Sequence, residues 1–481
     1  MNIKKILNIV VILTIPFFLN AQYDLKIKRK NFKTSSDDGF KEAWGNILEG
    51  DSYFGPGTYD ISRDYYLQAH QYNSENPVLN FKLGICYLYT DDKYEALNFM
   101  RKAYDKAPKL NKEMHYLLGR AYHLVLEFDK AIEHYRNYKN ELTQTELNNQ
   151  LDYIDKLIIE CTDGKKIIEN PSRVIIKNLG AAVNSQYDDY IPLLTNNGNE
   201  MYFTSRRPVV KGNKRNPYDN KFYENIYFSR LVNNEWESAI LIEDLSNKKK
   251  NDAVLGISQN GSELYLYRGK KNGGDIYMSI FDKGEWRSPK RLTSKINSEE
   301  FEGAVHLTPG NDSIFFISAS TDLTHGGKDI MVATKNLKGE WNKPTNLGSI
   351  INSGHDETGV FITANGKDLY FSSKGHNTMG GYDIFHSIKQ NDGTWSDPKN
   401  LGYPINTPDD DLFFSLSADG KFGHYSTIRE GSIGARDIYK VIFLGEELTA
   451  FSDGGADQNN GQGKTAKNQQ IEAVTRKAGN P

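Results

Sequence analysis

Apolar side chains in residues 40–164 recur with the period of an α-helix, and two stretches of this segment superimpose on each other. Leu83-Gly84 in the first stretch matches Leu118-Gly119 in the second, an offset of 35 positions (118 − 83). Small residues at such positions let two antiparallel helices approach closely, and aromatic residues fill the space between them. The matched positions are Leu83, Gly84, Tyr87, Ala96, Met100, Ala103 and Pro108, then Leu118, Gly119, Tyr122, Ala131 and Tyr135. The pattern therefore predicts paired antiparallel helices.

An earlier, less regular copy of this pattern starts at Trp44 and is interrupted by the turn Phe54-Gly55-Pro56-Gly57. After the last copy, residues 143–161 have the spacing of one amphipathic helix that closes the array. The positions resemble those of tetratricopeptide repeats. We therefore predict a tetratricopeptide α-solenoid over residues 40–164, with a capping helix at its end.

Residues 178–444 carry five copies of a second pattern, in which short runs of β character are bounded by turn residues. Matching dipeptides recur at intervals of 50, 54, 54 and 54 residues, and they are Asn225-Ile226, Asp275-Ile276, Asp329-Ile330, Asp383-Ile384 and Asp437-Ile438. The fourth copy has β runs at 359–363, 369–373, 383–388 and 394–400. Its Asn365-Gly366 predicts a tight hairpin, because both residues tolerate positive φ. Four antiparallel strands per copy are typical of one β-propeller blade.

The fifth copy lacks the Trp-containing fourth strand of the other copies. Residues 174–180, upstream of the first copy, end in Lys177-Asn178-Leu179-Gly180, as the fourth strand of the fourth copy ends in Lys399-Asn400-Leu401-Gly402. We predict that this N-terminal strand completes the last blade and removes an open sheet edge. The predicted fold class is α + β and multidomain: the helical solenoid, then a five-bladed β-propeller over residues 172–444 that is closed by an N-terminal strand.

The two ends of the chain differ from both repeat regions. Lys4 and Lys5 precede an apolar run over residues 6–19, and Ala21 offers a small residue for cleavage, which is the pattern of a signal peptide over residues 1–21. An apolar run of this length is too short to cross a bilayer core about 30 Å thick. We therefore expect an exported protein with a linker over residues 22–39. Residues 445–481 are rich in Gly, Asn, Gln and Lys, which predicts a disordered tail.

Charge and hydropathy narrow the classes of partner. With 59 basic and 62 acidic side chains the net charge is −3, so we expect no nucleic-acid partner. Hydrophobic residues make up 38%, and no long apolar run follows residue 21, which predicts no transmembrane segment in the mature chain. Cys86 and Cys161 could pair after export, but both fall in helical segments and equally suit small core positions.

The first helix of each repeat is expected to line the concave face of the solenoid, so its outward stripe indicates what a partner would contact. The candidate partner-binding residues of this groove are Phe81, Ile85, Leu88, Tyr89, Tyr116, Arg120 and His123. They would offer an aromatic groove to an extended or helical peptide. Alternatively, they pack against the following domain or a neighbouring helix, and the sequence leaves both interpretations open.

A basic insertion lies between the second and third strands of the first blade, over residues 206–221. Its candidate partner-binding residues are Arg206, Arg207, Lys211, Lys214 and Arg215. Such a loop could dock an acidic partner or an anionic surface glycan. The alternative, an ordinary solvated loop, needs no further explanation and is favoured.

Motifs of catalysis and of metal or phosphate binding are missing from the sequence. It contains no Gly-x-Ser-x-Gly elbow, no His-Glu-x-x-His and no metal-spaced Cys and His residues, so we expect no enzyme, no cofactor and no metal. Asp189, Asp356 and Asp410 recur near blade entrances and could ligate a cation, although their recurrence favours turn or inter-blade hydrogen bonds. The alternative function is a glycan-binding or glycan-cleaving propeller whose acidic residues come from several blades.

The combined features resemble one known family. The leader ending in Ala21-Gln22, the helical repeats, and blades with Gly-Gly-x-Asp-Ile and Gly-x-Trp-x-x-Pro-x-Asn-Leu-Gly are similar to exported Bacteroidetes proteins that join tetratricopeptide repeats to a WD40-like (TolB-type) propeller. The family includes the PorE-like component of the type IX secretion system, which continues into an OmpA-like domain that grips peptidoglycan. This sequence stops before such a domain, so peptidoglycan contact is not expected.

The resemblance implies a non-catalytic scaffold in the periplasm, associated with the outer membrane. It also implies a place in type IX secretion or gliding machinery. The expected partners are proteins of the cell envelope, either outer-membrane or secretion-system components.

Overall fold

The computed structural model describes residues 25–36, 38–209, 215–216, 219–246, 250–269 and 274–445. The chain divides into two compact units, residues 1–444 and 445–481, and the features below belong to the first. The expected signal peptide, almost all of the expected tail, and Lys211 and Lys214 of the basic insertion lie outside the described residues.

Eight helices occupy the N-terminal part of the described chain. They are α1 (Arg29–Phe32), α2 (Phe40–Phe54), α3 (Tyr59–Tyr72), α4 (Pro77–Leu88), α5 (Ala96–Lys106), α6 (Met114–Leu124), α7 (Phe128–Glu141) and α8 (Gln144–Glu169). Their ends follow local sequence: the Asn76 side chain accepts a hydrogen bond from the Leu79 N–H ahead of Pro77, and Thr143 and Glu146 form a capping box at the start of α8.

Glycines sit where two helices of a pair touch. A Cβ atom at Gly84 of α4 would lie 2.7 Å from Met100 Cγ of α5, and one at Gly119 of α6 would lie 2.5 Å from Tyr135 Cε1 of α7. Because neither contact leaves room for a methyl group, the repeated glycine sets how closely each pair packs. This confirms the predicted pairing of antiparallel helices.

The described residues after the helices form five sheets, each one blade of a propeller. Blade 1 holds β2 (Asp189–Leu194), β3 (Glu200–Ser205), β4 (Asn225–Val232), β5 (Glu235–Trp236) and β6 (Ile240–Leu241). Blade 2 holds β7 (Asn251–Ile257), β8 (Glu263–Gly269), β9 (Gly274–Asp282), β10 (Glu285–Trp286) and β11 (Lys290–Arg291). Blade 3 holds β12 (Glu302–Leu307), β13 (Ser313–Ser318), β14 (Asp329–Thr334) and β15 (Thr345–Asn346). Blade 4 holds β16 (Glu357–Ile362), β17 (Asp368–Ser373), β18 (Asp383–Ile388) and β19 (Lys399–Asn400).

Blade 5 contains β20 (Asp411–Leu416), β21 (Phe422–Thr427) and β22 (Asp437–Phe443), and β1 (Val174–Asn178) is its fourth strand. β1 runs antiparallel to β22, from Val174 opposite Phe443 to Asn178 opposite Tyr439. The predicted fold class is therefore confirmed, including closure of the ring by the N-terminal strand.

The same side-chain hydrogen bond joins the fourth strand to the third strand in blade 5 and in blade 4. Asn178 Nδ2 donates to Asp437 Oδ2 at 2.7 Å, and Asn400 Nδ2 donates to Asp383 Oδ2 at 2.6 Å. The Asn-Leu-Gly motif therefore marks the residue that ties the outer strand to the third strand.

Neighbouring blades are joined by buried asparagines. Each accepts a hydrogen bond from the N–H of the isoleucine in the preceding blade's dipeptide and donates to its carbonyl, at 2.8–3.0 Å. The pairs are Asn184 with Ile438, Asn297 with Ile276, Asn352 with Ile330, and Asn406 with Ile384. The isoleucine carbonyl also accepts a hydrogen bond from the N–H of the leucine after the outer strand, at 3.0–3.2 Å. The asparagine is therefore needed above all as the partner of the buried isoleucine N–H.

Two local predictions were wrong in detail. The expected strand over residues 394–400 is reduced to Lys399–Asn400 and one isolated bridge at Trp395, because Pro398 between them has no N–H for the ladder. In the expected tight hairpin only Gly366 has positive φ, and the Asn365 side chain instead accepts a hydrogen bond from the Lys367 N–H.

Candidate functional site

The helical domain and the propeller meet in a buried, charged interface. Lys93 Nζ, in the turn between α4 and α5, lies 2.8 and 2.7 Å from the two carboxylate oxygens of Asp409 in blade 5. Burial disfavours the ionised carboxyl, but the Lys93 ammonium outweighs it and lowers the pKa of Asp409. Tyr94 also donates to the Ile428 carbonyl at 3.3 Å. This interface holds the two domains against each other.

His123 of α6 belongs to the same interface. Its Nε2–H donates to the backbone carbonyl of Met379 in blade 4 at 2.7 Å, and burial lowers its pKa, so the ring is neutral at pH 7. The Met379 side chain is fully buried within the helical core. For His123 the structure therefore shows packing against the following domain, an alternative that the sequence left open.

Three more of the predicted groove residues lie inside the helical core. Phe81 and Ile85 are fully buried and Leu88 is 3% exposed. They lie on α4, whose neighbours α3 and α5 cover it on both sides. Their packing against neighbouring helices is again the alternative that the sequence left open, and their role in binding a partner stays a prediction.

Tyr89, Tyr116 and Arg120, together with Tyr153 of α8, form one cluster, which we call the tyrosine–arginine surface. Tyr89 and Tyr153 are 39% and 47% exposed. Tyr116 links Arg120 to Tyr153, because its hydroxyl oxygen accepts a hydrogen bond from Arg120 Nη1 at 3.2 Å and lies 3.2 Å from the Tyr153 hydroxyl. Tyr89 lies near enough to interact with the charge of Arg120. Sequence analysis missed Tyr153, since α8 was assigned only a capping role.

Arg206 and Arg207 of the basic insertion point into blade 1. Arg206 pairs with Asp219 at 2.6 Å and Glu224 at 2.9 Å, and Arg207 pairs with the fully buried Asp189 at 2.6 Å. The Arg207 guanidinium also lies 4.6 Å from the centre of the Tyr227 ring. These charges are used within the propeller, and their docking of an acidic partner stays a prediction.

Other residues of the insertion face the helical domain. Arg215 Nη1 lies 3.5 Å from an Asp60 carboxylate oxygen of α3, and Lys221 Nζ lies 2.7 Å from Asp188 and 3.6 Å from Asp91. The insertion therefore adds to the interdomain contact. The predicted roles of Lys211 and Lys214 lie outside the described residues.

The recurring acidic residues at blade entrances have two structural roles. Asp189 accepts hydrogen bonds from the N–H and hydroxyl of Ser185, which fixes its own entry loop. Asp356 and Asp410 instead accept from N–H groups of the preceding blade, those of Lys328 and Tyr382. The three residues are thus not equivalent, and each has the turn or inter-blade role that recurrence favoured. In the described ranges no three carboxylate, His or Cys side chains are grouped so as to hold a metal.

Two buried carboxyl groups in neighbouring blades have pKa values well above the ordinary values of Glu and Asp. Burial raises the pKa of Glu357 and of Asp411 to about 7. Glu357 accepts hydrogen bonds from Ser353 and Ser373, and Asp411 accepts from Thr407. Each carboxyl holds the end of a strand at a blade entrance, and both are fully buried.

Cys86 and Cys161 are both buried and unpaired. Burial raises the pKa of Cys86 to about 12, so its thiol stays protonated. Of the helices within the described part of the chain, none has the length and apolar character needed to cross a bilayer.

No protein-family model and no curated protein matches the chain. Among solved structures it is similar to TolB from Acinetobacter baumannii at 17% identity, with a TM-score of 0.35 and coverage of 54% of this chain and 56% of that chain. It is also similar to a glycoside hydrolase at 9% identity, with a TM-score of 0.40 and coverage of 62% and 99%. An α-L-arabinofuranosidase from Lactobacillus brevis is 13% identical, with a TM-score of 0.34 and coverage of 53% and 90%.

The chain thus spans about half the length of the TolB structure, 56% of it. At these identities and TM-scores, the similarities transfer no role to any residue of this chain.

Proposed function

We propose that the protein is a non-catalytic scaffold that binds a protein partner at the tyrosine–arginine surface and holds it in a fixed orientation to the propeller. One observation carries the proposal. The helical domain is docked on the propeller by buried contacts, Lys93 with Asp409 and His123 with Met379, while Tyr89 and Tyr153 remain 39% and 47% exposed. Exposed aromatic side chains at the centre of a surface are typical anchors for a partner.

The absence of catalysis is part of this proposal. Glu357 and Asp411 are fully buried and hydrogen-bonded to residues of their own blade, which supports a structural role for them. Arg206 and Arg207 are neutralised by carboxylates of blade 1. These groups have partners within the fold, whereas a general acid or a nucleophile must reach a substrate.

The location and the assembly are also proposed. We assign the paired helices to tetratricopeptide repeats on the positions of Gly84 and Gly119, and the protein to the periplasm on its N-terminal leader pattern. The motif resemblance supports association with the outer membrane, in type IX secretion or gliding machinery, with partners among envelope proteins.

Affinity capture of the full-length, tagged protein from envelope extracts tests this function. We expect the wild type to retain a defined envelope partner, and Tyr89→Ala/Tyr153→Ala to lose it while still unfolding in one cooperative transition, because the substitutions remove partly exposed side chains that contact the Tyr59 ring and the Tyr116 hydroxyl. Ile159→Ala is the matched control, because Ile159 is 57% exposed on the same helix as Tyr153 but outside the cluster. The proposal fails if the wild type retains no envelope protein, or if the double variant retains the partner as well as the control does.

A further inference from the structure

The tyrosine–arginine surface contains a guanidinium without a counter-ion. Resting on the proposed function, we propose that Arg120 binds the carboxylate of a Glu or Asp side chain within an extended segment of the partner. Among the described residues, Arg120 forms no ion pair, and its hydrogen bond goes to the neutral hydroxyl of Tyr116 at 3.2 Å. A guanidinium has five N–H donors in a planar fork that matches a carboxylate, and most of these are still available here.

The carboxylate of Glu160 does not pair with Arg120. Glu160 of α8 is buried and is already bonded to Lys156 Nζ and to Thr378 Oγ1, the latter at 3.4 Å. His123, one turn along α6 from Arg120, is neutral and donates to the propeller. The Arg120 charge is therefore partly withdrawn from water without compensation, which favours an anion from outside the chain.

Phenol groups complete the site. Burial raises the pKa of Tyr153 above its ordinary value, so at neutral pH this hydroxyl keeps its proton and can donate. It lies 3.2 Å from the Tyr116 hydroxyl, which is the group that Arg120 contacts. A carboxylate at Arg120 could thus accept from a guanidinium and a phenol together, which are charge-assisted hydrogen bonds.

The surroundings favour a side-chain carboxylate over a chain terminus. Two exposed aromatic residues lie near Arg120, Tyr89 at the end of α4 and Tyr153 on α8. The Tyr89 ring stacks against the Tyr59 ring, with the ring centres 5.5 Å apart. A segment whose apolar residues contact these rings would bring an acidic side chain within reach of the Arg120 guanidinium.

Binding of synthetic peptides to the immobilised full-length protein tests the proposal. The probes are two libraries of capped five-residue peptides with randomised apolar outer positions, one with Glu and the other with Gln at the centre. We expect the Glu library to be retained about tenfold more than the Gln library, the value of one charge-assisted hydrogen bond. Arg120→Gln should abolish this preference, and Arg120→Lys should restore part of it.

Arg63→Gln is the matched control, because Arg63 is an arginine of the same helical domain that has a counter-ion within the chain. Its guanidinium pairs with Asp92 at 2.8 Å and lies over the Tyr87 ring. We expect this variant to lower the thermal midpoint and keep the preference for Glu, whereas Arg120→Gln should leave the midpoint unchanged or higher.

Equal retention of both libraries, a preference that survives in Arg120→Gln, or retention of neither library would overturn the role of Arg120. Capture of a partner from envelope extracts, and its loss in the Tyr89→Ala/Tyr153→Ala variant, would still test the proposed function independently of Arg120. The two proposals can therefore fail separately.

Discussion

The ion pair between Lys93 and Asp409 allows a quantitative test of the interdomain contact. Lys93→Met removes the ammonium and leaves the Asp409 carboxylate, whose side chain is 9% exposed, without its main partner. Breaking a fully buried pair in this way costs about 3–5 kcal/mol. Because Lys93 is 20% exposed and the Asp410 N–H also donates to Asp409, we expect a loss of about 3 kcal/mol.

The pH dependence of this variant follows from the same pair. In the wild type the pKa of Asp409 is lowered, so the pair stabilises the fold above the unfolded pKa and loses its effect as the pH falls through the folded pKa. Without Lys93, we expect burial to outweigh the remaining Asp410 N–H and the Arg436 charge and to raise the pKa of Asp409. The loss in free energy of unfolding caused by Lys93→Met should therefore be smaller at pH 5 than at pH 8. The double variant Lys93→Met/Asp409→Asn should recover most of the lost stability at pH 8.

Urea unfolding of the full-length protein measures both effects. Far-UV circular dichroism reports the helices, and Trp fluorescence reports mainly the blades, which contain Trp236, Trp286, Trp341 and Trp395 but not Trp44. We expect one coincident transition in the wild type and separated transitions in Lys93→Met. Coincident transitions together with a loss below about 0.5 kcal/mol, the range of an ordinary surface substitution, would refute the reasoning.

Three further predictions concern the repeats themselves. Asn352→Ala leaves the buried N–H of Ile330 unpaired, while its carbonyl keeps the hydrogen bond from the Leu347 N–H, and should cost about 1–3 kcal/mol in urea unfolding; a cost near zero would contradict the inter-blade role. Glu357→Gln should raise stability by about 2–3 kcal/mol at pH 8 and by much less at pH 5, since burial raises the pKa of folded Glu357 to about 7, and stability is lost as the pH rises from the unfolded value of 4.5 to that value; equal effects at both pH values would exclude this cause. Gly84→Ala should lower the free energy of unfolding by about 1–3 kcal/mol, because its methyl group meets Met100, whereas Gly45→Ala, with open space around it, should be neutral or stabilising; similar free energies of unfolding for the two variants would argue against close packing at Gly84.

The repeats made the architecture predictable from sequence. Paired helices could be inferred from the recurrence of Gly84 and Gly119, since only a small residue fits where two helices touch. Closure could be inferred because Asn178 and Asn400 stand in the same motif, and a shared motif implied the shared hydrogen bond that the structure shows. Because each helix pair and each blade occurs several times, the same geometry could be recognised from several copies of its sequence pattern.

The site was harder to predict, because it depends on contacts between distant segments. Phe81 and Ile85 lie on a helix that is covered on both sides, so a helical stripe could not distinguish a groove from a core. Arg207 looked like a free charge because its partner Asp189 is 18 residues away in sequence and is reached only across the sheet. Tyr153 could have been found by asking which exposed aromatic of the closing helix continues the stripe of Tyr116.

A rigid union of helices and propeller can be measured directly by the distance between two spin labels. Ile159→Cys on α8 and Ile280→Cys on β9 place labels at positions that are 57% and 46% exposed, while native Cys86 and Cys161 are fully buried and should not react. Pulsed electron paramagnetic resonance should give one narrow distance distribution in the wild-type background and a broad one in Lys93→Met. A broad or two-peaked distribution without that substitution would contradict a fixed scaffold.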